Sequence, residues 1–345
     1  MRVALIMLVF VLAVCLTGIG GCGQNPVEKK AVKIAINVWP GYAHAFLAQE
    51  KGFYKKNNVD VELILKTSPQ ESQELFINGE VDGVFDSMGS IVQFASKNVK
   101  ASIIYIADYS IDGDVIIGRP EIQSLAELDG KTVSVEGFNS FSHVFVLNSI
   151  ISAGLEEGRV KFENIPALDV LEALDAKKID AGHTWEPEKS QALKKGYKVL
   201  ARAGDTPGII TDVLFLKNKV IAERSEDVQA IVKSLVEAQD DQKKNREESL
   251  KIMASKMNMS VEEMASGLDG VCSTGLNDNL AMMTEKMPSA TVASASATAS
   301  TTAGPSLFTA GSLVVDFYLN RGQLTQKIEM SDIVEPKFIK NLAGK

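Results

Sequence analysis

The chain has 345 residues, of which 45% are hydrophobic, and a formal net charge of −8 at pH 7. That length suggests about two domains, and the apolar fraction is ample for sizeable cores. The acidic balance lacks the basic footprint that nucleic-acid recognition requires, so no nucleic-acid partner is expected.

The first element is a leader. Arg2 supplies a positive start, residues 3–16 are apolar without a charge, and small residues lead to Ile19-Gly20-Gly21-Cys22. This three-part layout is that of a secretory signal, and its apolar run is shorter than the roughly 20 residues a spanning helix needs. The run ending at Cys22 resembles the bacterial lipobox. The resemblance implies removal of residues 1–21 and lipid on the Cys22 thiol as a membrane anchor, with residues 22–30 as a polar tether. Cys15 falls in the leader and Cys22 at the anchor, so Cys272 alone remains and no internal disulfide is possible. Cys272 reads as a small buried hydrophobe.

From residue 32 strands alternate with helices. Val32-Lys-Ile-Ala-Ile-Asn-Val38 reads as a strand, followed by a Trp39-Pro-Gly-Tyr42 turn and a short helix to residue 51. Val59-Asp-Val-Glu-Leu-Ile-Leu65 has partial period-two alternation. Ser68-Pro69-Gln70-Glu71 combines an N-cap serine, a first-turn proline and a glutamate three residues on, a strong helix start. Further strands are expected at 83–85 and 101–107, with a helix from 89 to 97. Such alternation means βαβ units and a mostly parallel sheet.

The pattern restarts after Arg119-Pro120. Ser124-Leu-Ala-Glu127 is another capping-box match, 131–135 and 161–164 read as strands, and helices are expected at 141–153 and 169–178. Ala181-Gly-His-Thr-Trp185 runs into Glu186-Pro187, where proline breaks the element. The apolar runs 114–118 and 209–216 bracket this unit and are expected to be paired crossings between two lobes. Lobe 1 would then comprise residues 31–116 with 212–345, and lobe 2 residues 117–211. Long helical patterns follow at 225–257 and 260–268. Residues 289–302 are almost wholly Ser, Ala and Thr, without periodicity, and read as a low-complexity surface loop.

Several of these segments together carry a resemblance. Asn37-Val-Trp-Pro-Gly-Tyr42, Leu47-Ala-Gln-Glu-Lys-Gly-Phe-Tyr54 and Val59-Asp-Val-Glu-Leu63 look like the opening of nitrate/sulfonate/taurine-type solute-binding proteins of ABC importers. That group shares a superfamily with thiamine-pyrimidine synthases. Asn78-Gly-Glu-Val-Asp82, Ser124 to Lys131, Leu174 to Ala181, Trp185-Glu-Pro187 and Asp316-Phe-Tyr-Leu319 with Gly322 match in order and spacing. The similarity spans about residues 32–324, with the Ser/Ala/Thr stretch as a departure. It implies an α/β class protein with the type II periplasmic-binding-protein fold: two α/β lobes, two crossings and an interlobe ligand cleft. It also implies a small-molecule ligand and a membrane permease as partners, and no cofactor. A monomer is expected, exported to the periplasmic or cell-surface face of the membrane.

In open α/β sheets ligands bind beyond the carboxyl ends of strands. Candidate ligand residues are therefore sought at those junctions. Ser68, Ser87 and Ser140 stand at helix starts, where free N–H groups favour oxyanions, although each is equally placed to cap its own helix. Trp39, Tyr42, Tyr109, Phe138 and Trp185 supply faces for a planar or cationic ligand. Asn139 and His143 add polar groups in the 136–143 loop. Asp86, Glu136, Glu186 and Asp212 are acidic, and unpaired carboxylates repel a bare anion. An amine or a ring with hydrogen-bond donors is expected instead, such as an aminosulfonate or an aminopyrimidine-like heterocycle. His44, His143 and His183 have no metal-binding spacing, so no metal is expected. The expected function is capture of a solute by lobe closure and its delivery to a permease. A ligand-sensing receptor domain uses the same cleft and is the alternative. Catalysis is not expected: no nucleophile and base stand at a useful spacing, and the cysteine-rich motif of the synthases is missing.

Overall fold

The computed structural model describes residues 30–284 and 305–344. The expected signal, the Cys22 anchor, nearly all of the tether and the 289–302 loop lie outside the described residues.

The alternation read from the sequence forms a first sheet. Its strands are Val32–Asn37 (β1), Val61–Lys66 (β2), Gly83–Ser87 (β3) and Ala101–Ser110 (β4). Helices Pro69–Ile77 and Met88–Ser96 follow β2 and β3, so consecutive strands return in the same direction. Ser68 and Glu71 close the expected capping box, with Pro69 at the first helical position. A second sheet is built from Val115–Gly118 (β5), Thr132–Val135 (β6), Lys161–Asn164 (β7), Ala181–Thr184 (β8) and Lys198–Arg202 (β9). The chain then returns through Thr211–Lys217 (β10) and, after four helices, Val271–Ser273 (β11). The orders are β11-β4-β10-β3-β1-β2 and β7-β6-β8-β5-β9.

Both sheets are mixed. β10 runs antiparallel to β3 and β4, and β5 runs antiparallel to β8 and β9. The runs 114–118 and 209–216 are therefore corrected: they are mostly strands inside the sheets, apolar because they are buried on both faces. β5 puts Val115 in the second sheet, two residues before the expected boundary at 117. The passages between sheets are 111–114 and 203–210, rich in Gly, Asp and Pro as turns require. They run side by side, with Ser110 N donating to Ile210 O, Gly204 N to Ile111 O and Ala203 N to Asp114 O.

Phe76, Phe94 and Phe215 meet at ring distances of 5.3–5.7 Å and anchor the core of the first lobe. Burying each contributes about 1.5–3 kcal/mol. The long helical pattern from residue 225 is two helices, Ser225–Lys244 and Arg246–Met257, because Asn245 leaves the helical region. Among the described residues no helix is long and apolar enough to cross a membrane.

Candidate ligand cleft

The antiparallel direction of β10 makes the site. Its first residues lie at the edge where β3 and β4 end, and Asp212 pairs in register with Ser87 on one side and Asp108 on the other. The end of β1 brings Asn37 and Trp39 to the same edge. From the second lobe come Asp114 ahead of β5, Phe141 at the start of helix Phe141–Ser152, and Trp185 just past β8. Together with Tyr42, Pro69, Asp86 and Ile210 these residues line a cleft with about 20 Å³ of enclosed space.

Its walls are aromatic. Trp39 and Trp185 meet edge to face with centroids 6.2 Å apart, and Phe141 lies 6.1 Å from Trp185. Trp185 Nε1 donates to Val38 O of the other lobe at 3.2 Å. Trp39 Nε1 donates to Asp108 Oδ2 at 3.3 Å, and the Tyr42 hydroxyl donates to Asp212 Oδ1. Glycine at 41 permits the first of these bonds. A Cβ there would lie 1.9 Å from Asp108 Oδ2 and 2.6 Å from Trp39 Nε1.

Four carboxyl groups converge on this space, and Asp86, Asp108, Asp114 and Asp212 are at most 4% exposed. Asp86 is fully engaged by Ser87 N, Ser90 Oγ and Gln73 Nε2, yet burial still pushes it up to about 6. Burial pushes Asp108 up to about 8, reinforced by Asp114, and pushes Asp212 well above the usual carboxylate range, reinforced by Asp108, Asp114 and Asp86. Like charges directly opposite on paired strands repel, so Asp108 and Asp212 are satisfied together only by sharing a proton. Asp108 Oδ1, Asp212 Oδ2, Asp114 Oδ2 and Asn37 Oδ1 are buried without a hydrogen-bond donor. No lysine or arginine is among the lining residues. Among the described residues no group of three or more His, Cys, Asp or Glu is arranged to hold a metal ion.

Asp114 is held from behind. His183 Nε2 lies 3.0 Å from Asp114 Oδ1, and His183 Nδ1 lies 2.7 Å from Ser142 Oγ. A carboxylate oxygen accepts, so Nε2–H of the imidazole donates to Asp114 Oδ1, while Ser142 Oγ accepts from Glu136 N at 2.9 Å and sets its hydroxyl against Nδ1. The residue types are those of a hydrolytic triad, but the order is reversed. The carboxylate faces the cavity, while Ser142 is fully buried and does not line it. The relay orients an acceptor and exposes no nucleophile.

Of the residues expected from sequence, the structure brings Trp39, Tyr42, Asp86, Ser87, Trp185 and Asp212 into the cavity lining and leaves the others outside it. Ser68 and Ser140 cap their helices. Glu136 is buried behind the site, bonded to Ala167 N and pushed up to about 8 by that burial. Glu186 is buried among Ser190 and, across the cleft, Ser266. Tyr109 pairs with Cys272 on β11. Phe138 is 55% exposed at the mouth, against the His143 ring. Asn139, at φ +64°, donates its N–H to His143 Nδ1 and accepts from Gln93 and Gln323. Asn37, Pro69, Asp114, Phe141 and Ile210 also line the cavity. Phe141 was legible as an aromatic at a helix start, whereas Asp114 and Ile210 depend on the strand directions.

The profile described as NMT1/THI5 like matches residues 39–249, more than half of the chain. A provisionally named binding protein of Brucella abortus is 24% identical over 213 residues, which are 60% of this chain and 65% of that protein. The match therefore spans slightly less than two thirds of that relative's length. A formylaminopyrimidine-binding protein of Halalkalibacterium halodurans is 20% identical over 171 residues, 49% of each chain. The crystal structure of the periplasmic nitrate-binding protein of Synechocystis PCC 6803 superposes with a TM-score of 0.72 at 14% identity, covering 92% of this chain and 89% of that one. At that identity the likeness is one of fold, and the fold is that of two-lobed periplasmic binding proteins.

Proposed function

The chain belongs to the NMT1/THI5-like family, and we propose that it is the solute-binding component of an ABC importer. In this reading it captures a small polar organic solute between its lobes and delivers it to a membrane permease. The single observation that carries the reading is a polar, aromatic-walled cavity to which both lobes contribute, shut by the Trp185 to Val38 bond. Relatives and fold neighbours named for binding formylaminopyrimidine and nitrate support the class and differ in ligand. Aminopyrimidine-like and aminosulfonate solutes both offer the donors that the lining carboxyls lack.

The site residues of this proposal are Trp39, Tyr42, Asp86, Ser87, Trp185 and Asp212, joined by Asn37, Asp114 and Phe141. The lipobox-like run at Cys22 supports a lipid anchor outside the cytoplasmic membrane, which would hold a monomer near its permease and raise its local concentration without any new contact.

A thermal-shift screen of the purified protein tests this reading. The compounds are taurine, alkanesulfonates, nitrate, aminopyrimidines, thiamine and riboflavin. A ligand at a hundred times its Kd adds about 2.7 kcal/mol to the folded state. A rise in the midpoint with one compound, lost in Trp185→Ala, is the expected result. Equal rises in both proteins would remove the cleft from the proposal.

A further inference from the structure

We propose that the cleft takes a small planar organic cation presenting a row of N–H donors, as an amidinium or a protonated aminoheterocycle does, and that it rejects nitrate and sulfonates. This rests on the reading of the cleft as a solute site and narrows the class of that solute.

The buried unsatisfied side-chain atoms of the lining are all acceptors. Asp114 Oδ2 and Asn37 Oδ1 face the cavity region buried and without a donor, and Asp212 Oδ2 has only the proton it shares with Asp108, although polar atoms at such depth are almost always paired. Apart from the Asn37 amide and the Ser87 hydroxyl, which has only Ser90 Oγ at 3.4 Å, the side-chain donors in reach are already spent. The Tyr42 hydroxyl is on Asp212, the Trp39 indole N–H on Asp108, the Trp185 indole N–H on Val38 O, and His183 is held between Asp114 and Ser142. A sulfonate or nitrate would bring more acceptors into this wall and find no lysine or arginine among the lining residues. A cation with several N–H groups satisfies the same atoms with charge-assisted bonds. The surrounding faces of Trp39, Tyr42, Phe141 and Trp185 suit a flat cation, since the ring quadrupole attracts positive charge.

The cation replaces a proton. The titratable groups that face Asp212 and Asp108 are Asp86 from β3, Tyr105 from β4, Asp114 ahead of β5 and Tyr42 from the turn after β1. None of them is basic, and the carboxyl pair keeps a proton because of burial and the repulsion of the acids around it. When a fixed positive charge enters, the pair ionises and the proton leaves to solvent. No covalent bond changes.

The test is isothermal titration of the full chain with benzamidinium, its neutral isostere benzamide, and benzenesulfonate. Benzamidinium should bind about ten- to a hundredfold tighter than benzamide, the range expected when a hydrogen bond gains charge, and benzenesulfonate should give no heat. In two buffers of different ionisation enthalpy at pH 7, benzamidinium binding should release up to about one proton. Asp212→Asn should erase both the preference and the proton release. If that variant fails to fold, Asp114→Asn should still weaken benzamidinium more than benzamide. Equal binding of benzamide, or tighter binding of benzenesulfonate, would overturn the cation and leave solute capture standing. If all three are silent, the charge of any compound active in the thermal-shift screen decides: a cation supports the inference and an anion or neutral solute overturns it. Silence in both assays would overturn the inference and the capture reading together.

Discussion

Replacing Asp108 with asparagine should make the ligand-free protein more stable in mild alkali while impairing its cleft. Asp108 is wholly buried, faces Asp212, and is pushed up to about 8 by burial. The unfolded chain releases that proton near the ordinary aspartate value, about 4. Between those values the folded state binds more protons than the unfolded state, so stability falls as pH rises, by about 1.4 kcal/mol per pH unit for each such group. His44 opposes this at lower pH. Burial lowers it to about 4, so it is neutral when folded and protonated when unfolded, and stability rises with pH until about 6.5. The window from pH 6.5 to 8 isolates the carboxyls, and there the proton shared by Asp108 and Asp212 accounts for a loss of about 2 kcal/mol. Urea denaturation at half-unit steps across the window measures it. The parent should lose stability with rising pH, with Glu136 adding to the slope. Asp108→Asn should lose about 2 kcal/mol less, since its amide oxygen can still accept from Trp39. Parallel slopes, or a parent that gains stability with pH, would refute the buried-acid account.

His183→Asn should weaken ligand binding at least tenfold and destabilise the fold by about 3 kcal/mol, because a buried acid loses its partner. Titration and denaturation of the same sample check both, and an unchanged Kd would mean that Asp114 needs no orienting. Gly41→Ala should cost about 1–3 kcal/mol as its methyl group forces Asp108 off the Trp39 indole, and a neutral result in urea would rule out that crowding. Arg321 makes a bidentate pair with Glu157 across the two lobes, at 2.5 and 2.7 Å. Both side chains are partly exposed, so the pair contributes no more than about 1 kcal/mol. Glu157→Gln should speed ligand release about threefold in stopped-flow mixing, an effect that salt should mimic in the parent. Equal release rates would show that the pair does not hold the lobes.

Periodicity and capping carried most of the fold. β1 to β4 and the helices between them were legible because alternation and apolar runs are local signals, and Ser68 with Glu71 forms the capping box its spacing implied. Strand direction was not. The apolar character of β5 and β10 shows burial, and burial is the same whichever way a strand runs. β9 was missed because Lys198 and Arg202 leave an edge strand half exposed. β11 is three residues that become a strand only through pairing with β4. The site followed the same division. Trp39, Asp86 and Trp185 were found because they end parallel strands. Asp114 escaped notice because it precedes a strand, and only the reversal of β5 brings it to the cleft. Ser68 and Ser140 carried a signal that fits caps and ligand contacts alike, and their own helices claim them.

The chain contains two tryptophans, Trp39 and Trp185. They come from opposite lobes and stand 6.2 Å apart across the cleft, one tied to a carboxyl group and the other to a backbone carbonyl. Every indole chromophore of the molecule is therefore at the place where the lobes meet. Opening would separate the pair and admit water to both, shifting the emission to the red and removing the near-ultraviolet dichroism of two coupled rings. The resting state, the occupied state and the rate of passage between them can be followed by light alone, with no dye attached and no background from indoles elsewhere in the chain.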